Sequence, residues 1–336
     1  MKRVVWALLI LAVIGVAGYV VYGRLNSSVT AFSAAHKDIY IVTGSELDDV
    51  VDVLVRDSII VDEDAFRWMA GSKKYTTNVK PGKYRIPKGI NLNKLINKLR
   101  SGDQVPVRVV FNAMRTPEML AGKIASQLEV DSISMLDELK NIRLADSLGF
   151  SKEGFRTMFI PNTYEFWWNT DARGFIDRMA TEYRMFWNED RKAKAAERGL
   201  SQTEVVVLAS IVQAETAKRD EAPKIAGLYL NRLRIGMPLQ ADPTLIYAAQ
   251  DFSIRRVLDI HKNIDSPYNT YRNAGLPPGP INYPDFNYID AVLNPDQNKY
   301  LYMCAKPDFS GYHNFATNYD QHLVYARQYQ RALSNQ

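Results

Sequence analysis

The chain has 336 residues, long enough for two or three domains with a sizeable core, and its apolar content is ordinary for a globular protein. A formal charge of +5 suits an anionic membrane surface or cell wall, but no dense Lys/Arg run with interleaved aromatics is present, which argues against nucleic acid as a partner. One cysteine, Cys304, excludes a disulfide framework or a cysteine-based metal site within one chain, and its apolar neighbours in Tyr300-Leu-Tyr-Met-Cys304 read as a core strand.

The N-terminus carries the first specific signal. Lys2 and Arg3 precede an uncharged apolar run, Val4 to Tyr22. A helix over that run, at about 1.5 Å per residue, nearly spans a hydrocarbon core. The apolar run exceeds that of a cleavable signal, and the small residues Ser33, Ala34 and Ala35 come late for a cleavage site. Residues 1–24 therefore read as an uncleaved signal anchor, with a cleaved signal as the alternative. The two basic residues put the N-terminus in the cytoplasm and the rest outside, a single pass through the cytoplasmic membrane.

Residues 25–36 are small and polar and read as a linker. Ile39 to Val42 predicts a strand. Ser45 is the expected N-cap of a helix carrying Leu47, Val50, Val51, Leu54 and Val55. Gly82 to Ile86 predicts a strand, and Leu92, Leu95, Ile96 and Leu99 a helix that stops at Gly102. Together residues 37–103 read as a small strand–helix–helix–strand module. A connecting strand–helix region, 104–150, follows. Val105 to Phe111 is its strand, and Thr116-Pro117 opens a helix expected to turn Met119, Ile124 and Leu128 inward. Asp131 to Leu148 reads as helical.

From about residue 151 aromatics and prolines thicken. Ser201-Gln-Thr-Glu204 is a capping box opening a helix to Glu215. Glu215 shares the face of Leu208 and Ile211, so its carboxylate is either desolvated at a cleft wall, with a raised pKa suited to proton donation, or frayed into water at the helix end. A further helix is expected from about Pro223 to Arg234, ending at Gly236. In Pro238-Leu-Gln-Ala-Asp-Pro-Thr244 the side chains of Gln240, Asp242 and Thr244 alternate, which in an extended segment puts three polar groups on one face. An Asx-Pro turn, with Asp242 capping a helix from Pro243, is the competing reading. Gly275-Leu-Pro-Pro-Gly-Pro280 is a rigid loop, either a cleft wall or a plain turn. His36, His261, His313 and His322 have no metal-site spacing, and no HExxH, GxSxG or P-loop occurs. No cofactor or metal is expected.

The runs Leu208-Ala-Ser-Ile-Val-Gln-Ala-Glu-Thr216, Asn231 to Thr244, Tyr268-Asn-Thr-Tyr271, Gly275 to Ile281 and Asn294-Pro to Tyr302 resemble the YceG-like family of endolytic murein transglycosylases, in order and spacing, over about 110 residues. Tyr312-His-Asn-Phe315 extends the likeness. The anchor and a LysM-like module at 37–103 match the family layout. The resemblance implies an α+β fold: a transmembrane helix, the LysM-like module, and a mixed α+β catalytic domain at 151–336. It implies Glu215 as the catalytic residue, with Gln240, Asp242, Thr244, Asn269, Tyr271 and Asn314 as candidate substrate-binding residues. Protonated Glu215 would donate to the oxygen between N-acetylmuramic acid and N-acetylglucosamine; its carboxylate would then accept the proton of the muramic C6 hydroxyl, giving a 1,6-anhydro end. Implied partners are peptidoglycan glycan strands and the membrane, with peptidoglycan synthases an open further partner. Three positions depart from the family pattern. Gln213 stands where the family often has Glu, Asn162 where it commonly has Asp, and Asn282-Tyr-Pro284 replaces an N-P-G run. A hydrolytic muramidase using Asp242 as second carboxylate, and a non-catalytic wall-binding protein, remain the alternatives.

Overall fold

The structure, a computed structural model, describes residues 2–26 and 29–335, with the side chains of 2–5, 7, 17, 20–22 and 24–26 outside that description. Helix α1 (Lys2–Asn26) covers the apolar N-terminal run. Leu8, Leu9, Ile10, Leu11, Val13 and Ile14 are all exposed, so apolar side chains project from every side of it. Among the described residues, no helix is long and apolar enough to cross a membrane. The side chains of Lys2 and Arg3, and residues 27 and 28 of the expected linker, lie outside the described residues.

The chain divides into two compact units. The first takes residues 1–109, 127–130 and 165–171; the second takes 110–126, 131–164 and 172–336. In the first, β1 (His36–Ile41) pairs antiparallel with β2 (Gly82–Pro87), Ile39 opposite Tyr84. Between them run α2 (Leu47–Arg56) and α3 (Glu63–Ser72), and α4 (Leu92–Ser101) follows. Ile39, Ile41, Val50, Leu54, Phe66, Tyr84, Leu95 and Leu99 fill a single core. The four foreseen elements are present, and α3, which was not foreseen, supplies the second helix between the strands. It shows short-range amphipathicity only, and Asp62 marks its start by accepting from the Ala65 amide at 3.0 Å. Helix α2 is capped one residue later than expected: Glu46, not Ser45, precedes its first turn, and Asp49 accepts the Glu46 amide at 2.7 Å. Gly102, at φ 74°, closes α4 in the left-handed conformation that favours glycine.

Strands β3 (Val107–Phe111) and β4 (Asn162–Phe166) form a second two-stranded sheet, and the division between the units falls within both. Helix α5 (Pro117–Ala125) starts as expected, Thr116 accepting from the Met119 amide at 3.3 Å. Met119 itself is exposed; Leu120 and Ile124 are the inward residues, because the helix turns its Leu120 side to the core. The expected helical stretch after Asp131 is two helices, α6 (Ser132–Leu139) and α7 (Ile142–Ser147).

The second unit is built around α10 (Gln202–Glu215). Residues Val205 to Val212 are all buried, so this helix is apolar around its whole circumference and sits inside the unit. Its capping box is formed: Glu204 accepts the Ser201 amide at 2.7 Å and Ser201 accepts the Glu204 amide at 3.2 Å. Against α10 pack α11 (Ala222–Arg234), α12 (Asp242–Ala249), α13 (Phe286–Leu293) and α9 (Glu189–Glu197); α8 (Ala172–Phe186) completes the helical layer. An antiparallel hairpin, β5 (Tyr302–Ala305) with β6 (His313–Ala316), packs on α14 (Tyr319–Ser334). The fold is therefore mixed α+β, as expected.

Candidate active site

The Gly-Pro loop is a clamp on the buried helix. A Cβ at Gly279 would sit 2.5 Å from the Glu153 carbonyl oxygen, so only glycine allows this approach. The Pro280 carbonyl accepts from buried Arg156 at 3.0 Å, and the Ile281 amide donates to Ser210 Oγ at 3.0 Å. Asn282 donates to the Ser210 carbonyl at 2.8 Å. The next anchor is Gln213, whose side-chain oxygen accepts the Asp285 amide at 2.7 Å. An amide serves this purpose at a position where the family often has a carboxylate. The loop thus holds α10 through Ser210 and Gln213, within about the last turn and a half before Glu215, the helix's last residue.

Glu215 lines an open cavity of about 230 Å³ with Leu228, Tyr229 and Arg232 of α11, Gln240, Asp242, Tyr271, and residues of the β5–β6 hairpin. Part of the residue reaches solvent, while its carboxyl group is enclosed by protein atoms. The Tyr229 hydroxyl donates to Glu215 Oε1 at 2.9 Å. Burial pushes the Glu215 pKa up to about 7; the Tyr229 hydrogen bond opposes the rise, the Asp242 carboxylate adds to it, and Arg232 opposes it. Helical spacing alone left open whether this group was desolvated or frayed; it is desolvated at a cavity wall.

Arg232 sets the shape of that cavity. Its guanidinium is buried and donates to the carbonyls of Leu239 and Leu301, each at 2.6 Å. One side chain thereby ties the segment leading to Gln240 and Asp242 to the segment leading into β5. Desolvation lowers the Arg232 pKa, though an arginine stays charged at any ordinary pH.

The expected binding residues divide by geometry. Gln240 and Asp242 line the cavity, and so does Tyr271, whose hydroxyl donates to Asp242 Oδ1 at 2.5 Å. Burial and the Asp242 carboxylate together raise the Tyr271 pKa. The segment is not extended through Thr244: α12 begins at Asp242, and Gln240 takes a left-handed φ of 49°. Asp242 is the first residue of that helix, not its cap.

Thr244 is fully buried. Its hydroxyl donates to the Ala241 carbonyl at 2.7 Å and pairs with the Thr270 hydroxyl at 2.8 Å. Asn269 is also fully buried: its amide donates to the carbonyls of Lys262 and Ile264, and its side-chain oxygen accepts the Tyr271 amide at 3.0 Å. Both residues shape the loop beneath the cavity and have no polar group left to meet a ligand. Asn314 is absent from the cavity wall; the adjacent His313 lines it. Cys304 is a half-buried wall residue and not core, with a thiol pKa raised by burial.

Among the wall residues that escaped the sequence reading are Tyr229, Arg232 and His313. Tyr229 lies fourteen positions after Glu215 on a different helix, so no local pattern joins them. It makes a testable contribution. Loss of its hydrogen bond raises the Glu215 pKa further, so the pH above which a proton-donating Glu215 loses activity moves upward in Tyr229→Phe. A pH profile of kcat/KM with an unmoved alkaline limb would contradict this.

A larger cavity of about 820 Å³ lies elsewhere in the same unit, between Glu197–Leu200, α11 and Pro295–Lys299; it contains none of the expected site residues. Among the described residues, no cluster of three or more His, Cys, Asp or Glu side chains could hold a metal ion.

Residues 39–328 match the model of the YceG-like family. The chain is 28% identical to the endolytic murein transglycosylase of Bacillus subtilis, covering 87% of this chain and 85% of that protein. It is 27% identical to the endolytic murein transglycosylase of Streptococcus pneumoniae over 94% of this chain, and spans only 63% of that relative's length. The crystal structure of a YceG-like protein from Listeria monocytogenes superimposes with a TM-score of 0.58 at 24% identity, covering 87% of this chain and 99% of that one, a likeness of fold.

Proposed function

Since the chain belongs to the YceG-like family, we propose that it is an endolytic lytic transglycosylase, cleaving the bond between N-acetylmuramic acid and N-acetylglucosamine in peptidoglycan glycan strands. The observation that carries the reading is Glu215, a desolvated carboxyl group with a pKa of about 7 in an open cavity. Near neutral pH a substantial fraction of it is protonated and can donate to the glycosidic oxygen as that bond breaks. The carboxylate left behind keeps the Tyr229 hydroxyl as a donor and can accept the proton of the muramic C6 hydroxyl. That hydroxyl attacks the anomeric carbon of its own sugar, so no water needs positioning. Gln240, Asp242 and Tyr271 position the sugars. The outcome is chain scission with a 1,6-anhydro end, which terminates or trims glycan strands.

Asp242 lines the same cavity, which is the observation favouring a hydrolytic muramidase with two working carboxylates. Mass spectrometry of fragments from un-crosslinked glycan strands separates the readings. A transglycosylase leaves anhydro ends; a hydrolase leaves ends heavier by one water. A protein that binds glycan without cutting it gives neither.

Helix α1 acts as a membrane anchor with the remaining chain outside the cytoplasmic membrane. Its support is the uncharged run Val4–Tyr22 together with apolar side chains exposed on all sides of the helix. The full-length protein is expected to sediment with membranes and resist extraction by high salt; a mature N-terminus beyond residue 35 would overturn the anchor. The strand–helix–helix–strand module serves as a LysM-like glycan-holding element, supported by its element order. Peptidoglycan synthases are natural neighbours of such an enzyme, since they supply the strands it cuts.

A further inference from the structure

His313, which lines the Glu215 cavity, belongs to a second carboxylate system that the reaction above does not use. Glu221, at the start of α11, is 4% exposed. Its Oε1 accepts the backbone amide of His313 at 2.8 Å, and its Oε2 lies 2.8 Å from His313 Nδ1. Thr216, the residue after Glu215, directs its hydroxyl to the same Oε2 at 3.4 Å. With Glu221 ionised, both of its oxygens are acceptors, and the ring donates to it through Nδ1–H. In the neutral ring, that leaves Nε2 with a bare lone pair. Nε2 has no protein partner among the described residues and is absent from the buried unpartnered atoms, so it is open, on a residue that lines the Glu215 cavity. Register places His313 opposite Ala305, another wall residue. A histidine needed only to close the hairpin would not have to expose one nitrogen to the cavity while a nearly inaccessible carboxylate fixes the other.

We propose that His313 touches the substrate: held at Nδ1 by Glu221, it accepts at Nε2 a hydrogen bond from a hydroxyl of the sugar seated against Glu215. Glu221 is then a positioning residue acting through the ring. The inference rests on the glycan-cleaving reading, and names a contact within that site.

The test uses the full-length protein and un-crosslinked glycan strands, with kcat, KM, product ends and thermal melting recorded for each variant. His313→Leu is expected to lower kcat/KM by about 10-fold, the worth of one well-placed hydrogen bond. Gln places an amide group near the position of Nε2, so His313→Gln is expected to recover part of the loss. Glu221→Gln keeps size and still accepts the His313 amide, but presents N–H groups to Nδ1. The ring then carries its proton on Nε2 and turns from acceptor to donor. That variant is expected to lose about 10-fold in kcat while its melting temperature stays at the wild-type value. Binding of glycan fragments to Glu215→Gln protein, with and without His313→Leu, reads the contact without turnover, and a weakening of about 10-fold is expected. Wild-type kcat and KM in His313→Leu, or a Glu221→Gln variant altered in melting alone, overturns the proposal. Should His313→Leu fail to fold, His313→Gln and Glu221→Gln decide the matter. If the wild-type protein makes no anhydro ends, the transglycosylase reading fails, and the binding comparison still decides whether His313 touches glycan.

Discussion

Glu215→Gln is expected to leave a folded protein whose glycan cleavage is lower by about 10²–10⁴-fold, the usual worth of a general acid–base group. Gln has nearly the same shape and still accepts from the Tyr229 hydroxyl, which sits 2.9 Å from Oε1. What it cannot do is give a proton to the leaving oxygen or take one from the C6 hydroxyl. The neighbouring Gln213 offers no replacement, because it too is an amide and its oxygen holds the Asp285 amide. Asp242→Asn is expected to cost distinctly less. Asp242 is exposed and partnered by Tyr271, a contact that an Asn oxygen can keep. The measurement is a side-by-side rate on one glycan substrate, with folding checked by melting. Two well-folded variants equally inactive would defeat the single-carboxylate mechanism and favour the hydrolase.

The same substitution is expected to stabilise the protein at alkaline pH. In the unfolded chain a glutamate titrates near 4.5; in the folded protein Glu215 titrates near 7. Below about pH 4.5 both states hold the proton and the site is neutral in its effect. Between those values the unfolded chain releases the proton while the folded protein retains it, so stability falls as pH rises. Above about pH 7 the deficit is complete. At about 1.4 kcal/mol per pKa unit it reaches about 3 kcal/mol as an upper bound, since part of the residue meets solvent. Gln carries no charge at any pH and escapes the deficit. The difference in melting temperature, variant minus wild type, should be smallest near pH 4 and largest near pH 8. A difference that does not change with pH would show that Glu215 is not desolvated as described. A residue that weakens the fold and is retained is what a site under catalytic demand looks like.

Local chemistry was the legible part of this chain. The capping box at Ser201 and Glu204, the Thr116-Pro117 helix start and the left-handed Gly102 each depend on residues within a few positions of one another, and each formed. The burial of Glu215 was half legible: periodicity gave its face, but only the packing of α11 could say whether water reached it. Thr244 and Asn269 were misread because polar residues near a cavity look alike in sequence whether they face the ligand or tie down the loop beneath it. The alternation argument for Gln240, Asp242 and Thr244 assumed an extended backbone, and a helix starting at Asp242 removed the assumption. Asn314 does not line the cavity and its neighbour His313 does, a difference set by how the hairpin packs and not written locally. The Glu221–His313 contact joins positions 92 residues apart, beyond the reach of any spacing rule.

The carbonyls gathered by Arg232 bear on the order in which the site is completed. Glu215 stands complete on its helix once α10 has formed, yet another part of the wall is supplied by Met303, Cys304, Ala305 and His313, far along the chain from it. Until the strand entering at Leu301 arrives, Arg232 lacks one of the acceptors that close the cleft. A nascent or truncated polypeptide ending before the hairpin therefore carries the proton donor without the groove that would grip a glycan. Proton donor and groove come together only when the hairpin has paired and Arg232 has gained its Leu301 acceptor.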